Sequence, residues 1–284
     1  MLNRDTRGSQ VFRLPRFLGM SAAAASATVS RGRKRMNDPY ASFAEQYDLF
    51  FGGFEDHEPP KIGFFRQLFK RHEVRNVLDC ACGTGRDLHL FSLLGVEVFG
   101  SDVSVAMLAQ AERNLASHGL RIPLEQADFR ELPFTFAREF DAVVCLSSAH
   151  FEMPDEHELT RAFASMRGVL RSGGVLVVTS GMSDRTWAEK PRFIPEVNRD
   201  DFTRLIVIDY LEEGVRFNVV DLAHRDGQNV MNVWGITYKK IYLHDSVEKS
   251  LREAGFKAWT FYGSYLFEPY RKESSQMLIA VAVN

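Results

Sequence analysis

The stretch Asn76-Val-Leu-Asp-Cys-Ala-Cys-Gly-Thr-Gly-Arg-Asp87 constrains this chain more than any other. A short apolar run ends in an acid, and a loop of small residues then opens a helical pattern. A strand of this kind delivers its carboxyl end to a crevice of an α/β sheet, where nucleotide-like ligands bind. Gly83 and Gly85 lack side chains, so backbone can approach a ligand closely. The free N–H groups of the next helix lie beside them.

Two familiar loops fail the spacing. Counting from Gly83, the third small residue of G-x-G-x-x-G/A falls on Leu88, and the G-x-x-x-x-G-K-[ST] spacing and its lysine are absent. A tight turn without a ligand stays open, although such turns rarely need so many small residues. What remains is Asp79-x-Ala81-x-Gly83-x-Gly85, acid first. This resembles the first motif of class I S-adenosylmethionine (SAM) dependent methyltransferases, with Ala81 where many members have glycine. The resemblance implies an α/β, Rossmann-like fold: a mostly parallel seven-stranded sheet with a reversed C-terminal hairpin. It also implies a SAM cradle in which Ala81, Cys82, Gly83, Thr84 and Gly85 leave room for the methionine half and Asp79 holds its ammonium.

Downstream residues extend the resemblance. Val96–Ser101 reads as a second strand ending at Asp102, whose carboxylate can accept from ribose hydroxyls; an N-cap for a helix over 104–117 is the competing role. Val103 follows it. Met107 can pack on adenine, although a Met on an amphipathic helix is more often core. Asp128 and Phe129, after a strand over 121–126, stand where the family lines the adenine. A fourth strand, Phe140–Leu146, brings Leu146 to the same edge. A helix over 155–170, a Gly173-Gly174 turn and a strand over 175–180 continue the alternation.

Length allows one sizeable α/β domain with an elaboration. No apolar run reaches the ~18 residues of a membrane helix, so no membrane partner is expected. Cys80, Cys82 and Cys145 lack the second pair a zinc site needs and read as small buried residues of a reducing, cytoplasmic compartment. Charge is uneven. Of 35 basic and 37 acidic residues, eight and one fall in residues 1–36, leaving 27 and 36, so the remainder carries −9. So acidic a body argues against a duplex nucleic-acid substrate, weakens the alternative of a protein- or tRNA-modifying enzyme, and suits a small molecule. Residues 1–36 read as a flexible basic tail with low core-forming content. An upstream extension with Met20 or Met36 as alternative starts, or an organelle transit segment, stays open.

The domain is expected over 37–284. Tyr40, Phe43, Tyr47 and Phe50 or Phe51 recur at helical spacing. Such a stripe is usually core; the resemblance makes this segment a cover over SAM and gives Tyr47 a place at the site. Phe64, Phe65, Leu68 and Phe69 read as the core face of a helix before the first strand. Residues 203–243 break the alternation with three strand-like runs, 204–211, 215–222 and 230–238, punctuated by Glu212-Glu-Gly214 and Asp226-Gly227. The insert resembles the antiparallel lid of small-molecule methyltransferases, which shields the site and shapes substrate choice. A helix over 244–254 and a hairpin, 259–265 with 276–283, close the chain.

Transfer from a sulfonium needs neither metal nor covalent nucleophile; holding the acceptor in line supplies ~7–11 kcal/mol. An amine acceptor must arrive deprotonated, whereas an alcohol or phenol needs a base or a metal. His150, after the fourth strand, is the first candidate for a general base or orienting group, and Glu152 the next; Asp155-Glu-His-Glu158 reads as a solvated helix start. Tyr265-Leu-Phe-Glu-Pro-Tyr-Arg271 resembles a segment of glycine and sarcosine N-methyltransferases, with similar segments in nucleotide-sugar amine methyltransferases. It offers Tyr265 and Arg271 to substrate, Arg271 through a bidentate carboxylate pair. The resemblance favours nitrogen as the acceptor. An O- or C-methyltransferase on a small acid, phenol or quinone precursor, and a SAM-binding module without transfer, remain alternatives. Oligomeric state is not readable.

Overall fold

The computed structural model describes residues 54–225 and 228–284 together with Asp38, Tyr40, Ala44, Tyr47 and Asp48. All belong to Asp38–Asn284, one of the two units into which the chain divides. Residues 1–36, the aromatics Phe43, Phe50 and Phe51, and the Asp226-Gly227 turn lie outside the described residues.

Strands β1 (Asn76–Asp79), β2 (Glu97–Asp102), β3 (Leu124–Gln126), β4 (Phe140–Cys145) and β5 (Leu170–Ser180) pair in parallel. β10 (Ala258–Tyr262) and β11 (Leu278–Val283) add an antiparallel hairpin on β5. The order is β10-β11-β5-β4-β1-β2-β3, a seven-stranded sheet. β4 is buried at every position, as a central parallel strand covered on both faces must be. Its residues alternate between two cores: Val143 and Cys145 join Leu78 and Leu176 on one face, Ala142 and Val144 join Val77 and Val177 on the other.

The helices are α1 (Pro59–Arg71), α2 (Arg86–Leu93), α3 (Val105–Ser117), α4 (Leu132–Thr135), α5 (Glu156–Gly168), α6 (Asp184–Glu189) and α7 (His244–Glu253). In α1 a proline sits in the first turn, where no N–H is missed, and Lys70 and Arg71 complement the carboxyl end. Phe64, Phe65, Leu68 and Phe69 are its buried stripe. Ser104 caps α3 by accepting from Met107 N–H at 3.1 Å, and Asp155 caps α5 by accepting from Glu158 N–H at 2.9 Å.

A second, four-stranded antiparallel sheet is formed by β6 (Phe193–Asn198), β7 (Phe202–Tyr210), β8 (Val215–Arg225) and β9 (Gln228–Tyr238), in that order. The expected lid thus gains a strand and begins near Phe193 rather than at residue 203. Ile208 and Val215 join the main core. Between β7 and β8, Arg204 Nε and Nη2 each donate to a different Asp221 oxygen at 2.7 Å, with the guanidinium 4.9 Å from the Trp234 ring centroid.

β1 has β2 on one side and β4 on the other, so the strand order reverses there. That reversal opens a crevice at the carboxyl ends of β1 and β4.

Candidate functional site

The loop after β1 is stitched to both neighbours. Cys80 N–H donates to Val144 O at 3.0 Å and Cys82 N–H to Ser101 O at 2.9 Å. Asp79, almost fully buried, accepts from Ala81 N–H at 3.2 Å. Burial, then the nearby Asp87 charge, pushes its carboxyl well up; Ala81 N–H and Lys61 pull the other way.

The two glycines do different work. Both have left-handed φ, +53° for Gly83 and +85° for Gly85. A Cβ on Gly85 meets Ala111 Cβ at 3.2 Å, so this glycine lets α2 pack against α3. A Cβ on Gly83 meets nothing nearer than Tyr47 Cε1 at 3.8 Å. Gly83 is the one that leaves open space, with the Tyr47 ring above it. Cys82, Thr84 and Leu146 are buried beside the loop, whereas Val103 is exposed.

Asp102 closes the other wall. Its Oδ2 accepts from Gly83 N–H and its Oδ1 from Ser104 N–H, each at 2.9 Å. The helix cap expected of Asp102 falls to Ser104. Each Asp102 oxygen retains a second lone pair for a further donor. Burial raises its carboxyl despite these bonds. Asp128 is engaged elsewhere: Arg130 Nε donates to both its oxygens at 3.0 Å, and Arg130 N–H donates to Oδ1 at 2.9 Å. Burial pushes Asp128 up, but Arg130 outweighs it and holds the carboxyl below the usual range. Phe129 is core. Met107 and Ala44 form a small buried cluster against which Tyr40, Tyr47, Trp234 and Ile236 pack, joining the N-terminal segment and β9.

The N-terminal segment is fastened across the loop by polar contacts that a local sequence pattern does not reveal. Ser104 Oγ donates to Asp38 Oδ2 at 2.6 Å, Asn114 Nδ2 to Asp48 Oδ2 at 2.7 Å, Thr84 Oγ1 to Asp48, and the Tyr40 phenol to Glu152. Burial above all, then Tyr238 and Asp102, raises the Tyr47 phenol far above its ordinary value. Tyr47 is therefore held protonated, with its ring beside the open face of Gly83. Beside Asp79, Lys61 donates to Asp87 at 2.6 Å. Burial opposes its charge, but Asp87 and Tyr265 prevail and keep the ammonium protonated. Lys61, Asp87, Asp48 and Tyr238 were not singled out by sequence reasoning, although Asp87 closes the loop stretch and Tyr238 ends the last strand-like run of the insert.

His150 follows β4, as the sequence reading has it, but its side chain is buried. Ser147 and Ser148 both adopt positive φ, 54° and 66°, and start a short 3-10 turn, Ala149–Glu152. That turn tucks the imidazole against Phe151, ring centroids 4.6 Å apart, with no exposed surface. Neither ring nitrogen has a partner among the described residues. Burial lowers its pKa to about 3, so it is neutral and a poor base. Tyr265 packs edge-on to Phe64 at 5.6 Å, facing Lys61 and Asp87. Arg271 lies exposed in a turn where its N–H donates to Ser275 Oγ at 2.9 Å, without an ion pair among the described residues. The structure does not bring it into the group formed by Asp79, Gly83, Asp102, Tyr47 and Glu152.

A single group of three possible metal ligands, His244, Asp245 and Glu248, gathers on α7 among the described residues. Lys272 already donates to both Asp245 oxygens at 2.7 Å, and Trp259 Nε1 to Glu248 at 3.1 Å.

The chain is similar to known proteins. A family described as "Methyltransferase domain" matches residues 77–174. The glycine/sarcosine N-methyltransferase of Parasynechococcus marenigrum (strain WH8102) is 38% identical over 124 residues, 43% of this chain and 43% of that protein; the chain thus matches less than half of that relative's length. The dTDP-3-amino-3,4,6-trideoxy-alpha-D-glucopyranose N,N-dimethyltransferase of Streptomyces venezuelae is 31% identical over 222 residues, covering 75% of this chain and 90% of that one. The crystal structure of Streptomyces venezuelae DesVI superposes with a TM-score of 0.68 at 26% identity, over 84% of this chain and 97% of its own.

Proposed function

The chain belongs to the class I SAM-dependent methyltransferases, and on that footing we propose that it methylates the nitrogen of a small-molecule amine. When bound, SAM supplies a methyl group made electrophilic by its sulfonium. Everything else is the work of the chain.

The observation that carries the reading is the open face of Gly83 between Asp102 and the Tyr47 ring. Backbone exposed there fits the close approach of the methionine half, and Asp102 has lone pairs left for ribose hydroxyls. Buried Asp79 and the end of β4 at Leu146 line the floor. Asp128 and Phe129 flank the adenine position, Asp128 with Arg130 attached. Tyr47, held protonated, covers the crevice. The lid strand β9 reaches the same cover through Trp234 and Ile236. The arrangement excludes water and aligns reactants, which suffices for an acceptor with its own lone pair.

Two of the relatives are named for amine acceptors: glycine or sarcosine in one, a dTDP-amino sugar in the other. His150, a neutral imidazole with no exposed surface, is given no contact with the acceptor in this reading. Arg271 is proposed only as a peripheral contact to an acidic part of the acceptor. No helix among the described residues is long and apolar enough to cross a membrane; the reading places the enzyme in the cytoplasm, where three buried free thiols are at home.

The test is transfer of the labelled methyl of SAM to glycine, sarcosine and dTDP-3-amino-3,4,6-trideoxy-alpha-D-glucopyranose. The expected result is an N-methylated product from at least one, with S-adenosylhomocysteine released. SAM binding without transfer to any amine, or transfer only to phenols or acids, contradicts it.

A further inference from the structure

One carboxylate in the crevice has no task in the reading above. Glu152 ends the 3-10 turn after β4. Its side chain accepts from the phenol of Tyr40 in the N-terminal segment, and Tyr238 of lid strand β9 lies close enough to feel its charge. Two segments remote in sequence thus converge on it. Tyr238 packs edge-on to Phe151, the next residue in the turn, at 5.7 Å between ring centroids. Glu152 keeps exposed surface, yet burial is the largest influence on its carboxyl and raises it, followed by Asp102, against the opposing bond from Tyr40. A side chain both reachable and partly desolvated is one that lines a cleft.

Its neighbours are poorly suited to take a proton. Tyr40, Tyr47 and Tyr238 are each held protonated by burial first. Asp102 already receives two backbone N–H groups. His150 is sealed from solvent and hard to protonate. Glu152 alone in this group combines basic lone pairs with access.

Resting on the amine reading, we propose that Glu152 takes up the proton that an ammonium acceptor must lose before its nitrogen can attack. An N–H bond of the ammonium breaks, and its electron pair stays on nitrogen as the lone pair. The proton forms an O–H bond on the Glu152 carboxylate and later passes to solvent, one proton per turnover. Tyr40, donating to the same carboxylate, orients it. The carboxylate also draws the cationic form of the acceptor to the crevice, which is the form most aliphatic amines have at neutral pH.

Glu152→Gln tests this, because glutamine still accepts from Tyr40 but cannot take a proton. With whichever of the three panel amines the wild type methylates, kcat/KM of E152Q at pH 7 falls about 100-fold and then recovers about tenfold per pH unit up to the pKa of the amine. The melting temperature stays unchanged. A second readout is calorimetric. The same amine is titrated into enzyme loaded with S-adenosylhomocysteine, in buffers of different ionisation enthalpy. Binding releases about one more proton to the buffer in E152Q than in the wild type. A pH profile of unchanged shape, or equal proton release, overturns the proposal and leaves Glu152 as a clamp for Tyr40. If the wild type methylates none of the amines, the acceptor reading itself fails and this inference falls with it.

Discussion

Gly83 donates its backbone N–H to the Asp102 carboxylate at 2.9 Å, tying the loop after β1 to the end of β2. The bond fixes the loop beneath Tyr47 and aims the remaining Asp102 lone pairs across the crevice. Replacing Asp102 with alanine leaves the N–H groups of Gly83 and Ser104 unpaired and removes a charged acceptor. Affinity for S-adenosylhomocysteine, measured by calorimetry, is expected to fall by about 1–3 kcal/mol. Unchanged affinity leaves Asp102 as a purely internal brace.

The two loop glycines separate by phenotype. Gly83→Val places a branched side chain in open space at positive φ, a strain of about 1–2 kcal/mol, and blocks the ligand's path. It is expected to abolish binding of S-adenosylhomocysteine in a folded protein. Gly85→Val adds the same backbone strain and forces a contact with Ala111, 3.2 Å from Cβ alone. It is expected to lower the melting temperature further than Gly83→Val does. Reversal of that order contradicts the assignment.

How far the sequence led can be judged from particular residues. The βα alternation through β5 and the loop at Asp79–Gly85 were legible because both are local: short apolar runs, glycines and caps. β6 was not. Pro195 interrupts Phe193–Asn198 and sits at a register shift on an edge strand, where a missing N–H is tolerated. Asp48, Lys61 and Tyr238 reach the site through partners far away in the chain, which no local pattern encodes. The burial of His150 was not legible, because the turn that tucks it in is set by positive φ at two consecutive serines, which residue type does not encode.

His150 gives a pH prediction. Its folded-state pKa is lowered to about 3 from an ordinary 6.5. Between these values the unfolded chain binds a proton that the native protein does not, so stability falls as pH drops from 6.5 toward 3 and is fully retained above 6.5. His150→Leu removes that proton and two unpaired nitrogens. Urea denaturation is expected to show the variant within about 1 kcal/mol of wild type at pH 8, and more stable than wild type at pH 5 by more than any gain at pH 8. An equal difference at both pH values contradicts the buried, neutral assignment.

The four-stranded antiparallel sheet has its own electrostatic core. Arg204 and Asp221 face each other across β7 and β8 with no exposed surface on the arginine. Arg204→Ala strands a buried carboxylate and is expected to cost about 3–5 kcal/mol in denaturation of the full chain. The double variant Arg204→Met, Asp221→Leu is expected to recover much of that loss. A single variant as stable as wild type contradicts the buried pair.

The central claim is that the crevice at the carboxyl end of β1 holds the methyl donor. A crystal structure with S-adenosylhomocysteine tests it most directly. The account predicts ribose hydroxyls on Asp102, the amino-acid half over Gly83 and beneath Tyr47, and the sulfur turned toward the wall that carries Glu152. The ligand lodged elsewhere, or Asp102 turned away from it, contradicts the account.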